Sequence, residues 1–140
     1  MPGKTQRGDP TDPERERRRV RVMTVDNHAA FRAAARELIE STSGFDSVTE
    51  AASGAEALEA AARLRPELIL IDVRMPGMNG IETCRRLTER EASIVVVLIT
   101  SGECADVAHE ARTCGAVALL AKHSISPAVL RGIWTIHGPV

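Results

Sequence analysis

Residues 68–80 read LILIDVRMPGMNG, and this stretch decides how the rest of the chain is read. Leu68, Ile69, Leu70 and Ile71 run without a polar break and stop at a carboxylate, Asp72. An unbroken apolar run of this kind fits a strand buried on both faces of a parallel sheet. Pro76, Gly77 and Gly80 then supply turn chemistry. An acid at the carboxyl end of such a strand stands where open parallel sheets bind their ligands. On this stretch alone, a strand-end cap accounts for Asp72 as well as a reactive site does.

Composition narrows the choice. The 140 residues carry 44% hydrophobic and 26% charged side chains, enough for one domain with a real core. A net charge of −1 gives no global pull toward nucleic acid or anionic membrane. Phe31, Phe45 and Trp134 are the only aromatics, too few for a base-stacking platform. The apolar run Ile94 to Ile99 is far short of the roughly 20 residues a bilayer span needs. A charged N-terminus is no secretory signal. Cys84, Cys104 and Cys114 lack both even number and metal-ligand spacing, so reduced thiols in a cytoplasmic protein are expected.

Residues 1–19 are rich in Pro, Gly, Asp, Glu and Arg and read as a disordered charged leader. Its closing run from Arg15 to Arg19 reads as a solvated domain edge rather than a partner surface. A single domain is expected over residues 20–137, with 138–140 as a tail. Val20 to Val25 is a β-branched first strand that ends at Asp26, Asn27 and His28. Ala30, Phe31, Ala34, Ala35, Leu38 and Ile39 then mark the apolar stripe of a helix. Val48 to Ala51 is a weak second strand. Ser53 and Glu56 form a capping-box pair before a helix that buries Ala57, Leu58, Ala61 and Ala62 and closes at Pro66.

After the central strand, Asn79, Gly80 and Glu82 open a third helix to about Leu87, burying Ile81 and Cys84. Ile94 to Ile99 is the strongest strand and ends at Thr100 and Ser101. Glu103 and Asp106 fall in the first turn of a fourth helix, which Gly115 ends. Val117 to Ala121 is a fifth strand that stops at Lys122. Ser126 and Pro127 start a last helix burying Val129, Leu130, Ile133 and Trp134. Five strands alternating with five helices predict an α/β fold, a doubly wound parallel sheet covered on both faces.

Every strand of a parallel sheet points its carboxyl end to the same edge. Asp26, Asn27, Asp72, Thr100 and Lys122 would therefore gather there from four strands. No one of them is a specific signal, but packing does not explain their joint arrival.

With these residues in view, the chain resembles the receiver domain of bacterial two-component response regulators, over Val20 to about His137. The likeness rests on Val25-Asp26-Asn27-His28, on Asp72 with Met75-Pro76-Gly77-Met78-Asn79-Gly80, on Thr100-Ser101, and on Gly115 followed by Lys122. It is similar to short receivers and to those that precede a helix-turn-helix. The resemblance implies a flavodoxin-like strand order of 2-1-3-4-5. It implies that Asp72 is the phosphoacceptor, taking a phosphoryl group from a sensor histidine kinase or phosphotransfer protein as an acyl phosphate. Mg²⁺ would be held by Asp26, Asn27, Asp72 and the main-chain carbonyl of Arg74. Lys122 would pair with a phosphoryl oxygen, and Thr100 would donate its hydroxyl to the attached group. The usual output is a change in the face built from helix 4, strand 5 and helix 5.

Two positions depart from the family. Asn27 stands where a second acid usually binds the metal directly, so weaker Mg²⁺ binding is expected; capping of the first helix is its plainer role. Leu119 stands where many members carry an aromatic switch residue, so the response to phosphate is less defined than the site. His28 is read as sitting at a helix start, while His109 and His137 are read as surface positions; His123 is given no role.

The reading is a phosphoprotein switch, not an enzyme beyond slow loss of its own phosphate. It acts through a downstream protein or a second copy of itself, and no direct DNA binding is expected. A pseudo-receiver that works without phosphate is the alternative, favoured by Asn27 and Leu119. A phosphatase or nucleotide-binding enzyme fares poorly: the chain has no Gly-rich phosphate loop, and no second acid follows close after Asp72.

Overall fold

The computed structural model describes residues 19–102 and 104–139. Of the leader expected over residues 1–19, residues 1–18 lie outside this description, as does the first-turn role of Glu103; Arg19 is described. Strands β1 (Val20–Val25), β2 (Phe45–Ala51), β3 (Leu68–Asp72), β4 (Val95–Thr100) and β5 (Ala118–Ala121) alternate with helices α1 (Ala29–Glu40), α2 (Gly54–Leu64), α3 (Gly80–Arg90), α4 (Ala108–Thr113) and α5 (Pro127–His137). The strands form one sheet in the order β2-β1-β3-β4-β5, every neighbouring pair parallel. Strand order reverses between β1 and β3, which opens a crevice at their carboxyl ends.

Alternation along the strands splits the core in two. Met23, Val25, Ile69, Ile71, Val96 and Leu98 point to one face and pack with Ala57, Leu58 and Ala60 of α2 and Ile81, Cys84 and Leu87 of α3. Val20, Val22, Leu68, Leu70, Val95, Val97 and Ile99 point to the other, where Ile39 of α1 and Leu130 of α5 close the layer. All five residues of β3 are buried, as its unbroken apolar run requires.

Local chemistry sets the element ends. Ser53 accepts from Glu56 N–H, and Glu56 Oε1 reaches back to Ala52 N–H at 2.8 Å. Asn79 caps α3 by accepting from Glu82 N–H at 2.9 Å, and Ser126 caps α5 in the same way. Gly80 is required by contact: a Cβ there would press into the carbonyl of Asp72 and against Val73 Cα. Gly115 adopts φ 100°, and a Cβ there would press on the Thr88 side chain.

Several boundaries move from their sequence positions. β2 starts at Phe45 rather than Val48, because pairing with β1 recruits Asp46 and Ser47 despite their weak strand preference. A register shift between Val22 and Met23 then leaves Val48 unpaired. Arg19 is tied to β2 by a 2.9 Å pair with Asp46. In α2, Ala60 is buried while Ala62 is exposed. Helix α4 is shorter than expected and starts later: Cys104–Asp106 forms a 3₁₀ turn, and Val107, an N-cap with no side-chain acceptor, precedes the α-helix. Within α5, Leu130 is buried but Val129, Ile133 and Trp134 are half-buried.

At the amino-terminal edge of the sheet lies a groove of about 800 Å³, lined by Pro66, Leu87, Ile94, Val117 and Trp134 among others. The polar residues of interest lie at the opposite edge.

Candidate functional site

Strand register alone brings the predicted residues into one row. Val25 pairs with Ile71, so Asp26 and Asp72 leave neighbouring strands side by side. Asp72 pairs with Ile99, one step before Thr100, and Thr100 pairs with Ala121, one step before Lys122. Side chains complete the contact. The Lys122 ammonium lies 2.6 Å from Asp26 Oδ2 and 3.5 Å from Asp72 Oδ2, bridging two buried carboxylates.

Each carboxylate is also held from its own loop. Asp72 Oδ1 accepts from Arg74 N–H at 3.2 Å. Asp26 Oδ1 accepts from His28 N–H at 2.7 Å, an Asx-turn that starts α1. Burial pushes the Asp72 carboxyl above its ordinary range; the Arg74 N–H opposes this, the Asp26 charge adds to it, and Lys122 offsets part of it. Thr100 is buried, and its Oγ1 accepts from Gly102 N–H at 3.1 Å, which ties the hydroxyl to the loop after β4.

Asn27 is exposed, as the residue between a buried strand end and the helix start. Arg74 touches Asp72 through its backbone N–H, and its side chain is exposed. Leu119 is half-buried in β5 and packs on the face shared with α2 and α3.

Three residues of α1 or its approach join the site without having been assigned to it from the sequence. His28 Nδ1 lies 3.0 Å from Asp26 Oδ1. The Phe31 ring, expected only as part of an apolar stripe, lies under the Lys122 ammonium, 4.5 Å from its centroid. Such a cation–π contact is worth about 0.5–2 kcal/mol. Arg32 donates from Nη1 to the Asp26 carbonyl at 2.6 Å and pairs with Glu50 of β2. Spacing carries the missed signal: a donor two residues after an Asp can close an Asx-turn, and a helix turn later Phe31 and Arg32 return to the same edge.

Whether this edge suits a divalent cation can be judged from its donors. Asp26 Oδ2 is fully buried and makes no directed hydrogen bond; its charge is met by the Lys122 ammonium alone among the described ion pairs. Ligand atoms of Asp26, His28 and Asp72 all lie within 4.8 Å of one another. Two carboxylates this close favour a cation between them, and the donor set fits a hard or borderline divalent ion.

Known proteins resemble this chain in sequence and in fold. The family described as response regulator receiver domain matches residues 22–133. The nitrate/nitrite response regulator protein NarL of Escherichia coli (strain K12) is 38% identical over 84 residues, covering 59% of this chain and 39% of the relative. A protein-glutamate methylesterase/protein-glutamine glutaminase of Myxococcus xanthus is 36% identical over 104 residues, covering 74% of this chain and 30% of the relative. The chain thus spans well under half the length of these curated relatives. A two-component response regulator of the LuxR family from Aurantimonas superposes with a TM-score of 0.76 at 30% identity, over 84% of each chain.

Proposed function

Since this chain belongs to the response regulator receiver domain family, we propose that it is phosphorylated on Asp72 and signals through protein contacts. The observation that carries this reading is the Lys122 ammonium bridging Asp26 and Asp72. A cation so placed serves an incoming phosphoryl group as well as the carboxylates.

In the reaction, an oxygen of the Asp72 carboxylate attacks phosphorus. The bond between phosphorus and the donor nitrogen of a kinase or phosphotransfer histidine breaks, and its electron pair leaves with the donor. Arg74 N–H holds Asp72 Oδ1, which leaves Oδ2, on the Lys122 side, as the attacking atom. Lys122 then shifts its charge from carboxylates to phosphoryl oxygen, and the Thr100 hydroxyl leaves Gly102 to donate to the same group. A magnesium ion bound by Asp26, Asp72, the Arg74 carbonyl and, through its amide oxygen, Asn27 would neutralise developing phosphoryl charge. Added negative charge supplies the differential energy for a shift of the loop after β4 and the face of α4, β5 and α5. That face is the contact for a downstream protein or a second copy of the chain.

No helix among the described residues is long and apolar enough to cross a membrane, and a cytoplasmic location fits a cytosolic histidine phosphodonor. Methylesterase activity is a property of that longer relative; for this chain the reading is a phosphoryl carrier that slowly loses its phosphate to water.

Incubation with acetyl phosphate and Mg²⁺ followed by intact-mass measurement tests the reading. One phosphate-mass adduct is expected, absent in Asp72→Asn. No adduct from acetyl phosphate or from any kinase would leave an interaction module that works without phosphate.

A further inference from the structure

The imidazole of His28 takes no part in the phosphoryl chemistry above. Its side chain is 65% exposed, yet Nδ1 stands 3.0 Å from Asp26 Oδ1. Two ligand atoms bound at right angles to one ion, each at about 2.1 Å, are separated by roughly 3.0 Å. The hydrogen-bonded pair therefore has a spacing that one shared ion also fits. Asp72 contributes a third ligand atom within 4.8 Å of both.

A second observation points to a ligand at the same place. Asp26 Oδ2 is buried without a directed hydrogen bond, and among the described residues it is met by the Lys122 ammonium at 2.6 Å. Buried carboxylate oxygens are ordinarily completed by donors or by a metal. The Lys122 ammonium sits on a flexible four-carbon stem and also reaches Asp72 Oδ2 at 3.5 Å, a partner it would keep if an ion took its place at Asp26.

Asn27, exposed and neutral, adds no charge to this set. With His28 as a ligand, the donors change from oxygen alone to mixed nitrogen and oxygen. Such sets favour borderline divalent ions over Mg²⁺, whose bonding is to oxygen. We propose that His28 is a metal ligand, so that Asp26, His28 and Asp72 form a mixed nitrogen–oxygen site for Mn²⁺, Co²⁺ or Zn²⁺. The inference rests on reading this edge as the cation and phosphoryl site, and it changes the ion that the edge prefers.

Co²⁺ is the probe, because nitrogen ligation alters its visible absorption. Titration of the full chain at fixed neutral pH, without phosphoryl donor, is followed by absorption and calorimetry. His28→Gln is expected to weaken Co²⁺ by about tenfold or more and to shift the absorption band, while Mg²⁺ affinity stays within about twofold. Asp26→Asn is expected to remove the Co²⁺ site. The exposed position of His28 lets His28→Gln fold, and His28→Ala gives an independent second variant. An unchanged band and affinity in both His28 variants would overturn the proposal. So would Co²⁺ binding that survives Asp26→Asn, which would put the ion at surface histidines instead. Phosphorylation and ion choice fail separately: a His28-dependent Co²⁺ band with no phosphate adduct keeps this inference, and an adduct with a His28-independent band rejects it.

Discussion

The Lys122 ammonium is nearer to Asp26, at 2.6 Å, than to Asp72, at 3.5 Å. Before any phosphate arrives, the lysine thus belongs first to the strand-one carboxylate. Removing it leaves Asp26 buried and charged, held among the described residues by its His28 contacts. Lys122→Met is expected to cost about 2–3 kcal/mol at neutral pH, at the low end for breaking a buried pair because the ammonium reaches water. Urea denaturation checks this, and Asp26→Asn in the same chain should recover part of the loss. A Lys122→Met chain as stable as the parent would contradict the pairing.

Asp72 has the opposite character. A carboxyl whose folded pKa is raised favours folding below its unfolded value of 3.8 and gives up that advantage as pH rises through the folded pKa. At neutral pH, ionised Asp72 is therefore a net cost to the cation-free fold. Asp72→Asn is expected to raise the melting temperature at pH 7 in chelator, with the gap to the parent closing as pH falls toward the unfolded pKa. Melting curves across that range decide it; a lower melting temperature for the variant at pH 7 goes against the argument.

Gly80 sets how closely α3 approaches the carbonyl end of β3. A methyl there would stand 2.8 Å from the Asp72 carbonyl carbon and 2.9 Å from Val73 Cα. Since the obstacles are backbone, relief requires moving the strand end. Gly80→Ala is expected to destabilise by about 1–3 kcal/mol and to slow phosphate uptake at Asp72. Chemical denaturation and the adduct formation rate measure the two effects.

Restoring a second acid should strengthen Mg²⁺. Two unit charges 4 Å apart interact by about 4 kcal/mol at an effective dielectric near 20, and exposure of residue 27 leaves a fraction of that. Asn27→Asp is expected to tighten Mg²⁺ about tenfold, read by calorimetry in low salt. Equal affinity would mean that residue 27 stays turned to solvent when the cation binds.

Thiol chemistry reports on the other face. Burial pushes the Cys84 thiol far above its ordinary range, and its Sγ donates to the Cys114 carbonyl at 3.4 Å. Cys114 is buried as well, whereas Cys104 is partly exposed. Native alkylation should therefore modify one cysteine of three, Cys104, with the others reacting only in denaturant. Rapid labelling at Cys84 would show that α3 lifts from the sheet.

Strand chemistry made most of this legible in advance. The apolar runs of β3 and β4 and the polar residue after each strand were enough for the sheet, its two-sided cover and the row holding Asp26, Asp72, Thr100 and Lys122. Local pattern failed where tertiary contact outweighed it. Asp46 and Ser47 are strand residues because β1 pairs with them, and α4 starts late because no side chain caps it. His28, Phe31 and Arg32 escaped for a different reason. Their role depends on α1 leaning back over the strand ends, and helical periodicity reports burial rather than which neighbour a polar tip meets.

Trp134, the lone tryptophan, lines the groove at the amino-terminal edge, whereas Asp72 stands at the carboxyl end of β3. Its fluorescence is thus blind to simple quenching by an ion or phosphate beside the carboxylates. Any emission change on adding a phosphodonor would have to cross the thickness of the molecule, making this indole a built-in reporter of propagated signal rather than of occupancy.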